Sequence, residues 1–387
     1  MLKICCFNIF AKNKSVLKRV IVSVVNDLVT DQRVNKSCLT LQKLGCDVLL
    51  VGRRQRKSPP MDKRPYKTHR MRLLFEKGPF FYAEFNMRLF FFLLFHKADV
   101  LFSNDLDTSL PNYLVSRIKR IGMVYDSHEY FTETPELVNR PRVQRVWKGI
   151  EKLVVPKLGK MITVNESIAN LFCDKYGVSV GVVRNIPNQI EITPSDRAQL
   201  GLPLDKHLLV LQGSGINVQR GAEELIEAMR LLDDCYLMVI GGGDVLDKLK
   251  QMVSDYGISD RVCFLPRMPY QEMMRYTQLA ELGFCLDKAT NLNYRYCLPN
   301  KLFDFIHVGV PVVAASCLVE VTEIILRYDI GLLVDDHNPQ TIAAAIKEGV
   351  NNSELREKWK ANLQEAASKL TWQNEEQQLI SVLQHYV

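Results

Sequence analysis

The order of apolar and polar positions predicts a strand–helix–strand unit near the start of the chain. Val20–Val25 is a run of β-branched residues interrupted only by Ser23, as expected for a strand buried on both faces of a parallel sheet. Residues 32–44 follow with apolar side chains at helical spacing, and Gly45 is typical of the residue after a helix. Asp47–Val51 is a second apolar strand. Together these segments form the unit from which doubly wound sheets are built.

The same alternation continues along the chain. Further strands in the first half are predicted at residues 98–102, 122–125 and 161–164. After a polar, proline-containing stretch, strands are predicted at residues 207–212, 236–240, 262–265, 282–286, 312–315 and 331–334, and helices at 221–232, 245–256, 270–276 and 301–307. A last helix is predicted at 371–386. Strands that alternate with helices indicate an α/β fold with parallel sheets.

The length of the chain indicates two domains. Its 387 residues exceed the size at which a single core usually forms. Because the pattern is interrupted near residue 190, we predict one Rossmann-like, doubly wound domain at residues 1–190 and another at 191–370. Two such domains place a ligand cleft between them, and residues 371–387 form a separate last helix.

Composition narrows the class of protein. Hydrophobic residues make up 47% and charged residues 24% of the chain, which excludes disorder and coiled coil. The ten cysteines are scattered and form no C-x-x-C pair, which argues against a disulfide framework or a zinc site. The longest apolar run, residues 89–95, is far shorter than the roughly 20 residues that span a bilayer. The first 19 residues lack the features of a signal peptide, so we expect a cytoplasmic protein.

Positive charge is concentrated in the first half. Residues 1–200 carry 33 basic and 18 acidic side chains, whereas residues 201–387 carry 17 and 25. Residues 53–77 hold ten basic residues against two acidic ones, and residues 80–96 hold seven phenylalanines. One interpretation is a solvated loop followed by an ordinary core helix; the other is a surface that contacts an anionic membrane, at the inner face of the plasma membrane. We expect no nucleic acid partner, because no binding motif accompanies the charge.

Two glycine-rich turns follow strands in the second half. Gly213-Ser214-Gly215 lies between a strand and a helix, where backbone N–H groups and the helix N-terminus favour an anion. Arg220 stands just before that helix and can bind a phosphate through two parallel hydrogen bonds. Gly241-Gly242-Gly243 is a similar turn, but Leu246 takes the place of the third glycine of a dinucleotide fingerprint. We therefore favour a plain tight turn there over an NAD site.

The segment Pro299–Ala314 combines several chemical signals. A helix begins after its proline, with Lys301 in the first turn and Asp304 one turn further on. Lys301 and the helix N-terminus can face a diphosphate while Asp304 accepts hydrogen bonds from ribose hydroxyls. For Asp304 in isolation, the default interpretation is an acidic residue that complements the helix dipole.

This segment resembles the donor-binding signature of the group 1 glycosyltransferases, which are retaining enzymes with the GT-B fold. The family pattern has two glutamates separated by seven residues and ends in Gly-x-Pro-Val-Val. Counting back from Gly309, Asp304 takes the place of the second glutamate and Tyr296 that of the first. The carboxylate is thus kept at one position and lost at the other.

Two further segments resemble the same family. The turn from Gly213 to Gly221 is similar to the family's phosphate clamp, with Arg220 at the lysine position and Ser214 at the arginine position. Asp126–Tyr130 is similar to the histidine-containing turn of the acceptor side, where His128 would lie. The resemblance extends from Val20 to the last helix, which in this fold crosses back onto the N-terminal domain.

The resemblance implies a glycosyltransferase that moves a sugar from a nucleotide-diphosphate donor to a glycan or lipid-linked acceptor, as in cell-surface polysaccharide biosynthesis. It implies retention of configuration and neither metal nor cofactor. We predict catalytic roles for Arg220, His128 and Lys301. The predicted donor-binding residues are Gly213, Ser214, Gly215, Arg267, Asn300, Leu302 and Asp304. Asp105-Leu106-Asp107 spells a metal-binding motif of another glycosyltransferase fold, and we assign no metal to it.

Two other functions stay open at this point. A sugar-nucleotide epimerase or hydrolase on the same fold would use the same donor site without an acceptor. A non-catalytic GT-B subunit that binds a partner transferase would explain the departures at Tyr296 and Ser214. The sequence identifies neither the sugar, the base nor the acceptor.

Overall fold

The computed structural model describes residues 17–29 and 31–386 and shows two separate β-sheets. The paired strands run parallel in both sheets, which confirms the predicted α/β class. Residues 1–16, where we expect no signal peptide, lie outside the described residues.

The first sheet is built from residues 19–182. Its strands are β1 (Arg19–Asp27), β2 (Asp47–Arg54), β3 (Lys67–Arg72), β4 (Val100–Asn104), β5 (Gly122–Ser127), β6 (Lys160–Thr163) and β7 (Ser179–Val182). Its helices are α1 (Gln32–Lys43), α2 (Gly78–Phe95), α3 (Leu106–Lys119), α4 (Pro135–Val138), α5 (Pro141–Val154) and α6 (Glu166–Tyr176). The strand order is β3-β2-β1-β4-β5-β6-β7, the Rossmann order with one strand added at an edge.

The second sheet is built from residues 207–334. Its strands are β8 (His207–Gly213), β9 (Cys235–Gly241), β10 (Val262–Leu265), β11 (Leu282–Cys285), β12 (Val312–Ala315) and β13 (Gly331–Val334). The helices of this part are α7 (Ala222–Met229), α8 (Leu246–Asp255), α9 (Tyr270–Thr277), α10 (Leu292–Arg295), α11 (Asn300–His307), α12 (Val319–Tyr328), α13 (Pro339–Asn351) and α14 (Ser353–Lys369). The order β10-β9-β8-β11-β12-β13 repeats the Rossmann arrangement.

Residues 53–77 depart from the prediction of a continuous loop, because they contain the edge strand β3. This strand pairs with β2 from Leu49↔Lys67 to Arg54↔Arg72. Most of its side chains are polar, and only Met71 is buried, so its sequence lacks an apolar pattern. Polar, basic residues are common on edge strands, where they discourage pairing with another chain. β7 and the helices α3 to α6 are likewise additional to the predicted elements.

The last helix, α15 (Trp372–Leu383), packs against the first sheet. Its apolar residues Trp372, Leu379, Val382 and Leu383 share a buried cluster with residues of β1, β2 and α1. Glu376 accepts hydrogen bonds from Thr40 Oγ1 at 2.7 Å and from Lys43 Nζ at 2.8 Å. Apolar burial and these polar contacts return the end of the chain to its first half.

Helix α2 divides its aromatic residues between the core and the surface. Phe81, Phe85, Leu89 and Leu93 recur every four residues and are buried against the first sheet. The opposite side exposes Phe80, Met87, Phe91 and Phe95. Among the helices of residues 17–29 and 31–386, none is long and apolar enough to cross a membrane.

Candidate active site

A cleft of about 730 Å³ lies between helix α1 of the first half and the carboxyl ends of the strands in the second sheet. Ligands of open α/β sheets bind at this end of the strands. Its walls are the loop after β8, the start of α9 and the start of α11, with α1 and residues 185–190 opposite. Seven of the ten predicted site residues line it: Gly213, Ser214, Gly215, Arg220, Asn300, Lys301 and Asp304.

Two cations of the cleft are held by one buried carboxylate, Asp287. This residue follows β11 and is 0% exposed. Its Oδ1 lies 2.6 Å from Arg220 Nη1, and its Oδ2 lies 3.3 Å from Lys301 Nζ. The Arg220 guanidinium also stacks on the Tyr294 ring, 4.6 Å from its centre. The group therefore fixes two positive charges and keeps a net positive charge, which suits an anionic ligand.

Asp287 and its two basic partners stabilise each other's charged forms. Burial acts to raise the pKa of Asp287, but Lys301 and Arg220 outweigh it and hold that pKa below its ordinary value. Burial acts to lower the pKa of Lys301, but the Asp287 carboxylate outweighs it and raises that pKa. At neutral pH the carboxylate is ionised and both basic side chains are protonated.

The loop after β8 packs tightly against the glycine turn after β9. A Cβ atom on Gly241 would lie 1.9 Å from the carbonyl oxygen of Gly213, and one on Gly243 would lie 1.9 Å from that of Ile216. Gly241 also has a φ of +131°, which residues other than glycine rarely adopt. The glycines at 241–243 therefore serve the close approach of two loops, in agreement with a plain tight turn.

Arg267 lies beside the same loop without lining the cleft. Its Nη2 donates to the carbonyl oxygen of Ser214, and its guanidinium lies against Gly242. Ser214 stands where the family pattern has an arginine. Arg267 thus brings a positive charge close to that place from a distant part of the chain.

Asp304 lies at the side of the cleft in a network of side-chain hydrogen bonds. Its Oδ1 accepts from the Tyr270 hydroxyl at 2.7 Å, and its Oδ2 accepts from Gln212 Nε2 at 3.0 Å. Gln212 is held in turn by Thr277 Oγ1 at 2.6 Å. Burial raises the pKa of Asp304 to about 6, against the opposing effect of these hydrogen bonds and of Lys36. The carboxylate is ionised at neutral pH and available as an acceptor.

Lys36 reaches the cleft from helix α1. Its ammonium group donates to the carbonyl oxygen of Ile186 and lies 4.9 Å from the centre of the Trp372 ring. Burial and, next, the charge of Arg33 lower the pKa of Lys36 to about 8, while Asp304 opposes the shift. Lys36 brings a positive charge from the first half of the chain into the cleft, where it interacts with Asp304 of the second half.

His128 does not line this cleft; it lies in a charged cluster at the carboxyl end of the first sheet. Its Nδ1 is 3.2 Å from Asp105 Oδ2, and its Nε2 is 3.4 Å from Asp126 Oδ2. Asp126 is also paired with Arg33 at 2.7 Å. Burial acts to lower the pKa of His128, but the two carboxylates outweigh it and raise that pKa to about 9. At neutral pH His128 is therefore a cation that donates hydrogen bonds and has no free basic nitrogen.

The structure does not place Leu302 at the cleft. Its side chain is 0% exposed in the core of the second sheet, and its N–H donates to the carbonyl oxygen of Pro299. The physical reason is the periodicity of α11, which turns Lys301 towards the cleft and the next residue towards the sheet. Tyr296, at the family's first glutamate position, packs against apolar residues of the first half, and its carbonyl accepts from Asn165 Nδ2 at 2.6 Å.

Four residues of the site were absent from the prediction: Lys36, Gln212 and Tyr270, which line the cleft, and Asp287, which holds two of its cations. A carboxylate two residues after a buried parallel strand was a usable signal for Asp287, since strand ends carry ligand sites. A basic residue on the buried face of α1 was a usable signal for Lys36. Nothing local distinguished Gln212 or Tyr270.

Two family models match consecutive parts of the chain. Residues 34–193 match "Glycosyltransferase Family 4", and residues 193–366 match "Glycosyl transferases group 1". A similar curated protein is the D-inositol 3-phosphate glycosyltransferase of Acidothermus cellulolyticus, 26% identical over 212 residues that are 50% of this chain and 46% of the relative. The chain thus spans about half the length of the curated relatives it matches first.

Solved structures share the architecture over nearly the whole chain. Sucrose-phosphate synthase from Thermosynechococcus elongatus has a TM-score of 0.78 at 16% identity, over 95% of this chain and 98% of that one. Anabaena HepE in complex with UDP and glucose has a TM-score of 0.73 at 15% identity, over 95% and 100%. These likenesses confirm the GT-B fold. On the strength of the two family models, the chain belongs to the group 1 glycosyltransferases of family 4.

Proposed function

We propose that the protein transfers a sugar from a nucleoside diphosphate donor to an acceptor with retention of configuration. The observation that carries this proposal is the pair Arg220 and Lys301, fixed on the buried Asp287 beside the N-terminus of α11. Negative charge grows on the diphosphate as it departs, and fixed positive charges placed there lower the barrier. In this scheme the side chains and the helix end supply the charge that a metal ion supplies in other enzymes.

We propose that residues 1–190 form the acceptor domain and residues 191–370 the donor domain, joined again by residues 371–387. The turn Gly213–Gly215 and Asn300 would contact the phosphates, with Arg267 adding charge beside Ser214. Asp304 would accept hydrogen bonds from the ribose. His128, on the acceptor side, would act on the transferred sugar through its positive charge, which Asp105 and Asp126 hold in place, rather than remove a proton.

The nucleotide is proposed from the fold and the cleft together. HepE, which shares the architecture, was crystallised in complex with UDP and glucose. The cleft of this chain, about 730 Å³, has the size of a small-molecule site and is lined by Arg220, Lys301 and Asp304. A UDP-sugar is therefore the first donor to test, ahead of other nucleoside diphosphate sugars.

A donor panel separates the proposed function from its rivals. The purified chain is incubated with UDP-, GDP- and ADP-sugars, with and without glycan and lipid-linked acceptors, and the released nucleoside diphosphate is measured. Release that requires an acceptor, with a retained anomeric configuration in the product, supports the transferase. Conversion without an acceptor supports an epimerase or hydrolase. Binding of nucleotide without any conversion supports a non-catalytic subunit.

We further propose that the protein works at the inner face of the plasma membrane on lipid-linked acceptors. Helix α2 exposes Phe91 and Phe95, whose fractional exposures are 49% and 77%. The preceding segment, residues 53–77, carries ten basic residues, most of them exposed. Each basic residue near an anionic surface contributes about 1 kcal/mol, so a few of them together with exposed aromatic rings hold a protein there reversibly.

Liposome co-sedimentation tests the membrane proposal. Binding should require anionic lipid, weaken as salt rises and fall when Phe91 and Phe95 are replaced by serine. Leu231 and Leu326, exposed on the second half at 41% and 66%, offer a matched pair of serine substitutions that should leave binding unchanged. A wild-type protein that stays in the supernatant with anionic liposomes at low salt contradicts the proposal and favours a soluble acceptor.

A further inference from the structure

The hydroxyl group of Tyr270 occupies one oxygen of Asp304. Tyr270 is the first residue of α9, and its hydroxyl donates to Asp304 Oδ1 at 2.7 Å. The other oxygen of Asp304 accepts from Gln212. Each oxygen of this nearly buried carboxylate, 5% exposed, therefore already has a side-chain donor.

The two donors to Asp304 differ in how firmly they are held. Gln212 is 2% exposed, lies at the end of β8 and is fixed by Thr277 through a second hydrogen bond. Tyr270 is 38% exposed, and within residues 17–29 and 31–386 its side chain makes one hydrogen bond, the one to Asp304. Of the two, Tyr270 is the donor that can be displaced.

There is space beside Tyr270 for its ring to move. Tyr270 lines the main cleft and also an adjoining cavity of about 330 Å³, whose walls include Asn188, Met274 and His307. The ring is thus a shared wall of both cavities. A shift into the adjoining cavity would open the Asp304 side of the main cleft.

Resting on the proposed function, we infer that Tyr270 is a specificity-determining residue that holds the place of a ribose hydroxyl on Asp304 until the nucleotide arrives. The ribose hydroxyl then replaces the phenol hydroxyl, and no covalent bond changes. Because one hydroxyl donor takes the place of another, the buried carboxylate is never left without a partner, which would cost about 1–3 kcal/mol or more. A nucleotide without ribose hydroxyls cannot make this exchange. Such a nucleotide leaves the Tyr270–Asp304 hydrogen bond in place, so the tyrosine narrows the difference in affinity between a ribonucleoside diphosphate and its dideoxy counterpart.

The test compares Tyr270→Phe with wild type by calorimetric titration. UDP, GDP and ADP are titrated first, and the tightest of them is continued with its 2′,3′-dideoxy counterpart and with inorganic pyrophosphate. Tyr270→Phe keeps the ring and removes the competing hydroxyl, so the ribonucleotide should bind up to about tenfold more tightly, which corresponds to one net hydrogen bond. Affinities for the dideoxynucleotide and for pyrophosphate should not change. Tyr276→Phe, on the same helix but outside the cleft lining, is the matched control.

The outcomes separate this inference from the proposed function. If wild type binds none of the three nucleotides, the proposed function fails and the inference fails with it. If wild type binds a nucleotide but Tyr270→Phe binds it equally or more weakly, the inference alone is wrong. An equal gain for the dideoxynucleotide also overturns it, because the exchange would then not involve the ribose. A lower melting temperature without a gain in affinity assigns Tyr270 a structural role only.

Discussion

Arg220 is the residue whose removal tests the diphosphate assignment most sharply. Arg220→Ala deletes the guanidinium that lies 2.6 Å from Asp287 Oδ1 and leaves Lys301, 3.3 Å from Oδ2, in place. Because the buried carboxylate keeps one cationic partner, we expect the free energy of unfolding to fall by about 1.5–3 kcal/mol, as for one hydrogen bond to a charged group. A domain with an ordinary stability of about 5–15 kcal/mol stays folded after such a loss.

Turnover should fall much further than stability. Removing one preorganised donor to a developing negative charge lowers kcat by about 10²–10³-fold. In the free protein Arg220 is already partly neutralised by Asp287, and in the proposed mechanism Lys301 would still face the departing diphosphate after the substitution. We therefore expect a loss near the lower end of the range, about 10²-fold.

The assay is the release of nucleoside diphosphate at saturating donor and acceptor, with circular dichroism to show that the variant is folded. Arg230 provides a matched control at the other end of α7. Its guanidinium stacks on Tyr256 at 4.5 Å, as that of Arg220 stacks on Tyr294 at 4.6 Å. Arg230→Ala removes the same side chain away from the cleft and should keep wild-type turnover. A folded Arg220→Ala protein with wild-type turnover would remove Arg220 from the mechanism.

Two further predictions concern Asp304 and His128. Because the pKa of Asp304 is raised to about 6, affinity for an intact nucleotide sugar should weaken as the pH falls through that value. Asp304→Asn should abolish this pH dependence. If calorimetry shows the same pH dependence for both proteins, Asp304 returns to the helix-dipole interpretation. His128→Ala should reduce transfer more than nucleotide binding, and equal losses in both would indicate a structural histidine. Because the pKa of His128 is raised to about 9, its charge stabilises the fold below the ordinary histidine pKa and this contribution is lost as the pH rises through about 9, so the Tm of wild type should drop more steeply there than that of His128→Ala.

The elements of the sheets were predictable where burial leaves a local pattern. β8 is buried on both faces, and its residues 207–212 form a mostly apolar run, HLLVLQ. β3 is an edge strand whose partner, β2, lies earlier in the chain, and its basic and polar side chains give no such run. Both strands pair in parallel with a neighbour. They differ in burial, because the edge position of β3 leaves most of its side chains unburied and requires no apolar pattern.

The site was predictable where one short segment carries the chemistry. Lys301 and Asp304 lie one turn apart on α11, and Arg220 precedes the start of α7, so their positions could be read from local spacing. Lys36 and Asp287 act through contacts with residues far away in the chain. Lys36 of α1 interacts with Asp304, and Asp287 pairs with Arg220 before α7 and with Lys301 of α11. Such pairings are set by the tertiary fold, and a single sequence does not encode them locally.

The most direct measurement is a crystal structure of the protein with the nucleoside diphosphate that binds most tightly in the calorimetric panel. We predict that diphosphate oxygens lie within hydrogen-bond distance of Arg220 and Lys301, at the N-terminus of α11, and that the ribose contacts Asp304. A nucleotide bound elsewhere, or bound in this cleft with its diphosphate away from both cations, would contradict the assignment of the donor site.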